Sequence, residues 1–167
     1  MALKTCTAML VLAAVPAFAQ PASPDRFAPL AFLIGDWTGQ GSGSPGQGSG
    51  GFSFLPDQDG KIIVRKNRAD YPAANGRPAF SHTDLMIVYK DDADSQLRAI
   101  YFDTEDHVIH YTVEPSPDGA SVRFLSASYR LTYRKTGPDT IALKFEISPP
   151  DKPGAFQTYI EATAHRK

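Results

Sequence analysis

The chain has 167 residues, 42% of them hydrophobic and 21% charged, with a formal net charge of −1. Its lysines and arginines are scattered rather than clustered, which excludes the basic footprint of a nucleic-acid-binding surface. The length suits one domain that buries roughly two thirds of its unfolded-chain surface, enough for a core without cross-links.

At the N-terminus, Lys4 precedes a short apolar run at 9–15 (MLVLAAV), and Ala17-Phe18-Ala19 follows as a small-x-small pattern. This is the order of a signal peptide, so residues 1–19 are expected to be removed and residues 20–167 exported, to the periplasm or the medium. The apolar run falls short of the ~20 residues needed to span a bilayer, and no later segment approaches that length, so no integral membrane segment is expected. Cys6 is the only cysteine and lies ahead of the apolar run, which speaks against lipid anchoring. A mature chain without cysteine has no disulfide, no thiolate metal site and no cysteine nucleophile.

Asp25 is placed to cap a short helix in which Phe27, Leu30, Ala31, Phe32 and Leu33 form one apolar face, ended by Gly35. Beyond it the helical period is lost. Short β-type runs follow at 37–42, 51–55, 62–69, 83–89, 97–102, 107–114, 121–125, 129–134, 140–147 and 156–165. Turn residues divide them, as in Pro56-Asp57-Gln58-Asp59-Gly60, Pro117-Asp118-Gly119 and Gly137-Pro138-Asp139. In the ninth run Ile141, Leu143, Phe145 and Ile147 alternate with Ala142, Lys144, Glu146 and Ser148, giving one apolar and one wet face. Connections this short require antiparallel pairing. About ten such strands either split into a sandwich or close on themselves. Closure removes exposed edges, and the expected fold is an all-β, antiparallel up-and-down closed barrel with a short N-terminal helix. A barrel of that size has room for a ligand.

Leu30-Ala31-Phe32-Leu33-Ile34-Gly35-Asp36-Trp37-Thr38-Gly39-Gln40-Gly41 reads as a short helix entering a G-x-W-x-G-x-G strand. This resembles the entry of calycin-type barrels, the group of lipocalins and fatty-acid-binding proteins, and more closely that of nitrobindin-like haem-binding barrels and small exported bacterial relatives. The resemblance implies that Trp37 closes one end of the barrel and that Arg166, near the end of the last strand, packs on its ring. Nitrobindin-like barrels end in a strand of the type H-L-x-A-x-L-x-R whose His binds haem iron. Aligning Ala162 and Arg166 with that pattern puts Tyr159 at the His position, and His165 falls elsewhere. Tyrosine can ligate iron, so haem stands as an alternative, with no cofactor as the leading expectation.

Several motifs carry less than they suggest. Gly41-Ser42-Gly43-Ser44-Pro45-Gly46 fits G-x-G-x-x-G, but Gly48, Gly50 and Gly51 follow where the dinucleotide motif needs a helix. The stretch reads as a flexible hairpin loop, or a mobile lid over the barrel mouth. His107 and His110 are three apart in a strand and so face opposite ways, which excludes a shared chelate, and no metal site is expected. Asp91, Asp92 and Asp94 lack the glycine and distal Glu of a calcium loop. Asp103, Glu105 and Asp106 read as turn residues.

His82 and Asp84 share a face, and an Asp can orient a His for base chemistry; the plainer reading is a hydrogen-bonded pair. Tyrosines need hydrogen-bond partners when buried, and an apolar cavity with a few inward polar groups is the form of a small-molecule site. On that ground His82, Arg98, Tyr101, His110, Tyr133 and Tyr159 are the candidate ligand-binding residues. Arg98 and Arg123 either meet a ligand's acid group or point outward and pair across strands. The last strand is ambiguous: Phe156, Ile160, Ala162 and Ala164 face inward in one register, and Tyr159, Glu161, Thr163 and His165 in the other. The leading expectation is a non-catalytic binder of a small apolar or amphipathic molecule. The alternative is an enzyme using His82 with Asp84, or His110, as acid–base groups.

Overall fold

The computed structural model describes residues 26–74 and 76–167. The expected signal peptide and the Asp25 cap lie outside them. A 3-10 helix, η1 (Ala28–Leu33), leads into ten strands: β1 (Gly35–Gly43), β2 (Gly48–Asp57), β3 (Ile62–Tyr71), β4 (Phe80–Lys90), β5 (Leu97–Asp103), β6 (Val108–Pro115), β7 (Ser121–Leu125), β8 (Tyr129–Gly137), β9 (Thr140–Ile147) and β10 (Gln157–Arg166). Each strand pairs antiparallel with its sequence neighbour, and β10 returns to pair with β1, from Trp37↔Arg166 to Gly43↔Ile160. The result is a closed, up-and-down, calycin-like barrel. No helix among the described residues is long and apolar enough to cross a membrane.

Side chains alternate between interior and exterior, and the interior changes character along the barrel axis. At one end Trp37, Phe54, Ile63, Met86, Val88, Val122, Phe124 and Ile141 are fully buried in one cluster. Leu30 and Leu33 of η1, both without exposed surface, join that cluster. The helix begins with Pro29 near its first position and no side-chain cap. Its buried leucines therefore hold it in place, since a helix this short has little stability of its own.

The hairpin expected between the first two strands is present, but its loop is shorter than the composition suggests. Gly39, Gly41 and Gly43 belong to β1, and Gly48, Gly50 and Gly51 to β2, leaving residues 44–47 as the turn. The reason is steric. A Cβ at Gly50 would lie 2.1 Å from the Arg68 carbonyl oxygen, and one at Gly48 would lie 2.6 Å from the Tyr71 ring. Glycine here allows the strands and an aromatic ring to approach closely.

A β-bulge resolves the ambiguity of the last strand. Thr158 pairs with Glu146 and Ile160 with Phe145, so Tyr159 is the extra residue. Past the bulge, Ala162 and Ala164 pair with the inward Leu143 and Ile141 and face the interior, while Glu161 and His165 are exposed.

Candidate functional site

The packed end fills only part of the barrel. Toward the other end lies a cavity of about 370 Å³. One wall is apolar and aromatic: Phe52 from β2, Ile109 from β6, Tyr129 and Leu131 from β8, and Leu143, Phe145 and Ile147 from β9. Tyr129 and Phe145 stack with their planes 9° apart, and Tyr159 meets Phe145 edge-on at 6.1 Å. The facing wall, from β3, β4 and β5, is polar: Arg65, Asn67, His82, Asp84, Tyr101 and Asp103.

The polar wall arises where the inward faces of three neighbouring strands turn from apolar to polar. On β3, Ile63 is followed inward by Arg65 and Asn67, and Asn67 pairs across with Asp84 of β4, which in turn pairs with Asp103 of β5. Asp84 is the hub. It receives Arg65 Nη1 and Asn67 Nδ2, the latter at 2.8 Å, and His82 Nε2 lies 3.4 Å away. The ion pair of Arg65 and Asp84 is almost wholly removed from water, with side chains 5% and 4% exposed. Burial resists the charge on Asp84, but the Arg65 guanidinium and the His82 and Asn67 bonds outweigh it and hold the carboxyl below its usual range. Burial likewise opposes the Arg65 charge, and Asp84 more than offsets it.

From Asp84 the network runs outward. His82 Nε2 lies 3.1 Å from the Tyr101 hydroxyl, which donates to Asp103 Oδ2 at 3.2 Å. His82 Nδ1 lies 3.1 Å from Glu105 Oε1, and His107 Nδ1 is 2.8 Å from Asp103 Oδ2. The Asp84 bond, with help from Glu105, raises the His82 pKa to about 9 against the cost of burial. The ring is therefore an imidazolium at neutral pH, a hydrogen-bond donor and not a base. Burial raises the Tyr101 and Tyr111 hydroxyls as well, so both stay protonated.

Of the candidate ligand-binding residues, His82, Tyr101 and Tyr159 line the cavity. The structure places the other three elsewhere. Tyr133 is fully buried behind the lining, within 5.4–6.1 Å of Phe52, Phe54 and Phe124. Arg98 faces outward and bonds Asp91 Oδ2 at 2.9 Å and Asp94 Oδ2, because its neighbours Ala99 and Tyr101 take the inward and cavity positions. His110 is exposed on the outer face, away from His82, while Ile109 lines the cavity. Arg123 pairs with Glu114 directly across the strands at 2.8 Å.

At the closed end the Arg166 guanidinium lies 4.3 Å from the Trp37 ring centroid. It donates from Nη2 to the Phe32 carbonyl at 3.1 Å and from Nη1 to that of Ile34. Trp37 Nε1 donates to the Leu33 carbonyl at 2.8 Å. Two side chains thus bond the end of η1 to the barrel. Tyr159, the residue at the haem-ligand position of the resembling barrels, sits on the aromatic wall, and the haem alternative rests on that one side chain.

Sequence reasoning missed Arg65, Asn67 and the inward role of Asp103 and Glu105. The signal available was the alternation in β3. Once Ile63 is inward, Arg65 and Asn67 must be inward too, and a charged residue in that position needs a partner.

No protein-family model matches the chain, and no curated protein matches it. Among solved structures it is similar to EF1p2_mFAP2b bound to DFHBI, at 11% identity and a TM-score of 0.45, over 87% of this chain and 100% of that one. It is also similar to an S-type phycobiliprotein lyase, CPES, from Guillardia theta, at 11% identity and a TM-score of 0.48, over 81% of this chain and 89% of the other.

Proposed function

We propose that this protein is an exported, non-catalytic carrier or sensor of a small amphipathic molecule held in the barrel interior. The observation that carries the reading is the cavity of about 370 Å³ with one aromatic wall and one hydrogen-bonding wall. An apolar ligand body against Phe52, Tyr129, Phe145 and Leu143 gains about 25 cal/mol per Å² buried. The ligand's polar end then meets the Arg65, His82 and Tyr101 wall, which fixes its orientation. The raised His82 pKa speaks against the His82–Asp84 pair acting as a general base at neutral pH, because the imidazolium lacks the free lone pair that role needs. Export is supported by the order of residues 1–19.

The test is a native mass spectrum and absorbance spectrum of the protein purified gently from the compartment to which it is exported. A discrete added mass, lost on denaturation, is the expected result and gives the ligand class. A Soret band with the matching mass would replace this reading with haem binding. A bare polypeptide that also fails to bind an apolar fluorescent probe would overturn it.

A further inference from the structure

We propose that His82, Asp103 and Glu105 form a binding site for a borderline divalent cation of the Zn²⁺ class at the rim of the cavity. The inference is independent of the identity of any organic ligand. One ligand atom from each of the three residues lies within 4.8 Å of the others. Donors about 2.0–2.2 Å from a tetrahedral zinc stand roughly 3.3–3.6 Å apart. His82 and Glu105 already stand 3.1 Å apart, and the residual gap of at most about an ångström elsewhere in the trio takes a small side-chain adjustment, easiest at Glu105, which is 57% exposed in the β5–β6 turn.

The way they are held matches what a metal ligand requires. A metal-bound histidine presents one ring nitrogen to the ion and donates its other N–H to a fixed acceptor. His82 Nε2 faces the Tyr101 hydroxyl at 3.1 Å and the Asp84 carboxylate at 3.4 Å, and Asp84 is itself anchored by Arg65 and Asn67. That leaves His82 Nδ1 toward Glu105. Asp103 is braced by the backbone N–H groups of Glu105 and His107 on Oδ1 and by Tyr101 on Oδ2, and an ion bound at Oδ2 takes the place of the His107 ring, which is 45% exposed and free to turn away. The outer shell is thus built before any ion arrives.

Charge points the same way. Once an incoming ion displaces the Nδ1 proton of His82, the carboxylates of Asp84, Asp103 and Glu105 face the single guanidinium of Arg65, leaving an excess of two negative charges for a dication to match. Binding places the ion where His82 and Glu105 now share a proton, which is released to solvent. One imidazole with two carboxylates suits Zn²⁺ and its neighbours better than Mg²⁺ or Ca²⁺, which prefer all-oxygen sets. Three protein ligands leave a fourth position open, and all three residues line the cavity.

Zn²⁺ titrated into the purified protein against a chromophoric chelator, with millimolar Mg²⁺ present, tests this. The expected result is one Zn²⁺ per chain, with binding weakened at least tenfold by His82→Ala and by Glu105→Gln, and unchanged in a double Asp91→Asn and Asp94→Asn variant. Glu105→Gln alters an exposed turn and leaves folding intact, so it stays informative if His82→Ala does not fold. A nitrogen NMR signal of His82 Nδ1 that moves on adding Zn²⁺ would support the site directly. Binding that is not saturable, or that survives both ligand substitutions, would overturn it.

Discussion

Asp84 stands between Arg65 and His82 with almost no contact with solvent, so its removal leaves a buried guanidinium without a counter-charge. Breaking such a pair from one side costs about 3–5 kcal/mol. Asp84→Ala is therefore expected to lower unfolding free energy by that amount in urea titrations, whereas Glu105→Gln, on an exposed side chain, changes it by less than about 0.5 kcal/mol. Equal effects from the two would show that the inner pair is solvated. Arg166 offers a second case. Arg166→Ala loses the stacking on Trp37 and the charged hydrogen bonds to the Phe32 and Ile34 carbonyls, a loss of about 1.5–3 kcal/mol. Arg166→Lys should recover less than half, because an ammonium lacks the planar fork that spans both carbonyls.

The strands were legible in the sequence because their punctuation is strong, and the alternation of Ile141, Leu143, Phe145 and Ile147 survives unchanged as the inward face of β9. Less was legible where backbone contacts decide. Nothing local marks Gly48 and Gly50 as strand residues; the Tyr71 ring and the Arg68 carbonyl, both on β3, impose that choice. Likewise the bulge at Tyr159 is set by pairing with β9, and it lets both Tyr159 and Ile160 border the cavity. The candidate site was half visible for the same reason. His82 and Tyr101 each follow from alternation within their own strands, β4 and β5, but the Arg65–Asp84–His82 contact depends on the register of β3 against β4. Gly50→Ala is expected to destabilise the protein by about 1–3 kcal/mol, since the added methyl meets backbone and cannot be relieved by a side-chain rotation. A thermal midpoint equal to that of the parent would contradict the close approach of β2 and β3.

Across the whole molecule, stability divides between the packed end and the charged outer clusters. Trp37→Ala removes the largest buried side chain of the packed end and is expected to cost about 3–5 kcal/mol. On the outer wall, Arg130 donates to both Glu146 oxygens at 2.6 and 2.8 Å, and this pairing holds the Glu146 carboxyl below its ordinary range. A depressed carboxylate pKa stabilises the fold above its unfolded value of about 4.3, and the contribution is lost as the pH falls through the folded value. Urea midpoints should therefore decline below about pH 4, and Glu146→Gln should flatten that decline. An unchanged slope in the variant would remove Glu146 from the account.

Between the packed end and the rim lies the cavity on which the functional reading depends. The most direct measurement is the titration of a neutral apolar fluorescent dye, such as N-phenyl-1-naphthylamine, into the parent protein and into a Leu143→Trp variant, which places an indole inside the cavity. Circular dichroism confirms that both are folded. Saturable one-to-one binding to the parent, weakened at least tenfold in the variant, is the predicted result. Equal binding by both proteins would place the probe on the surface and contradict an interior binding site.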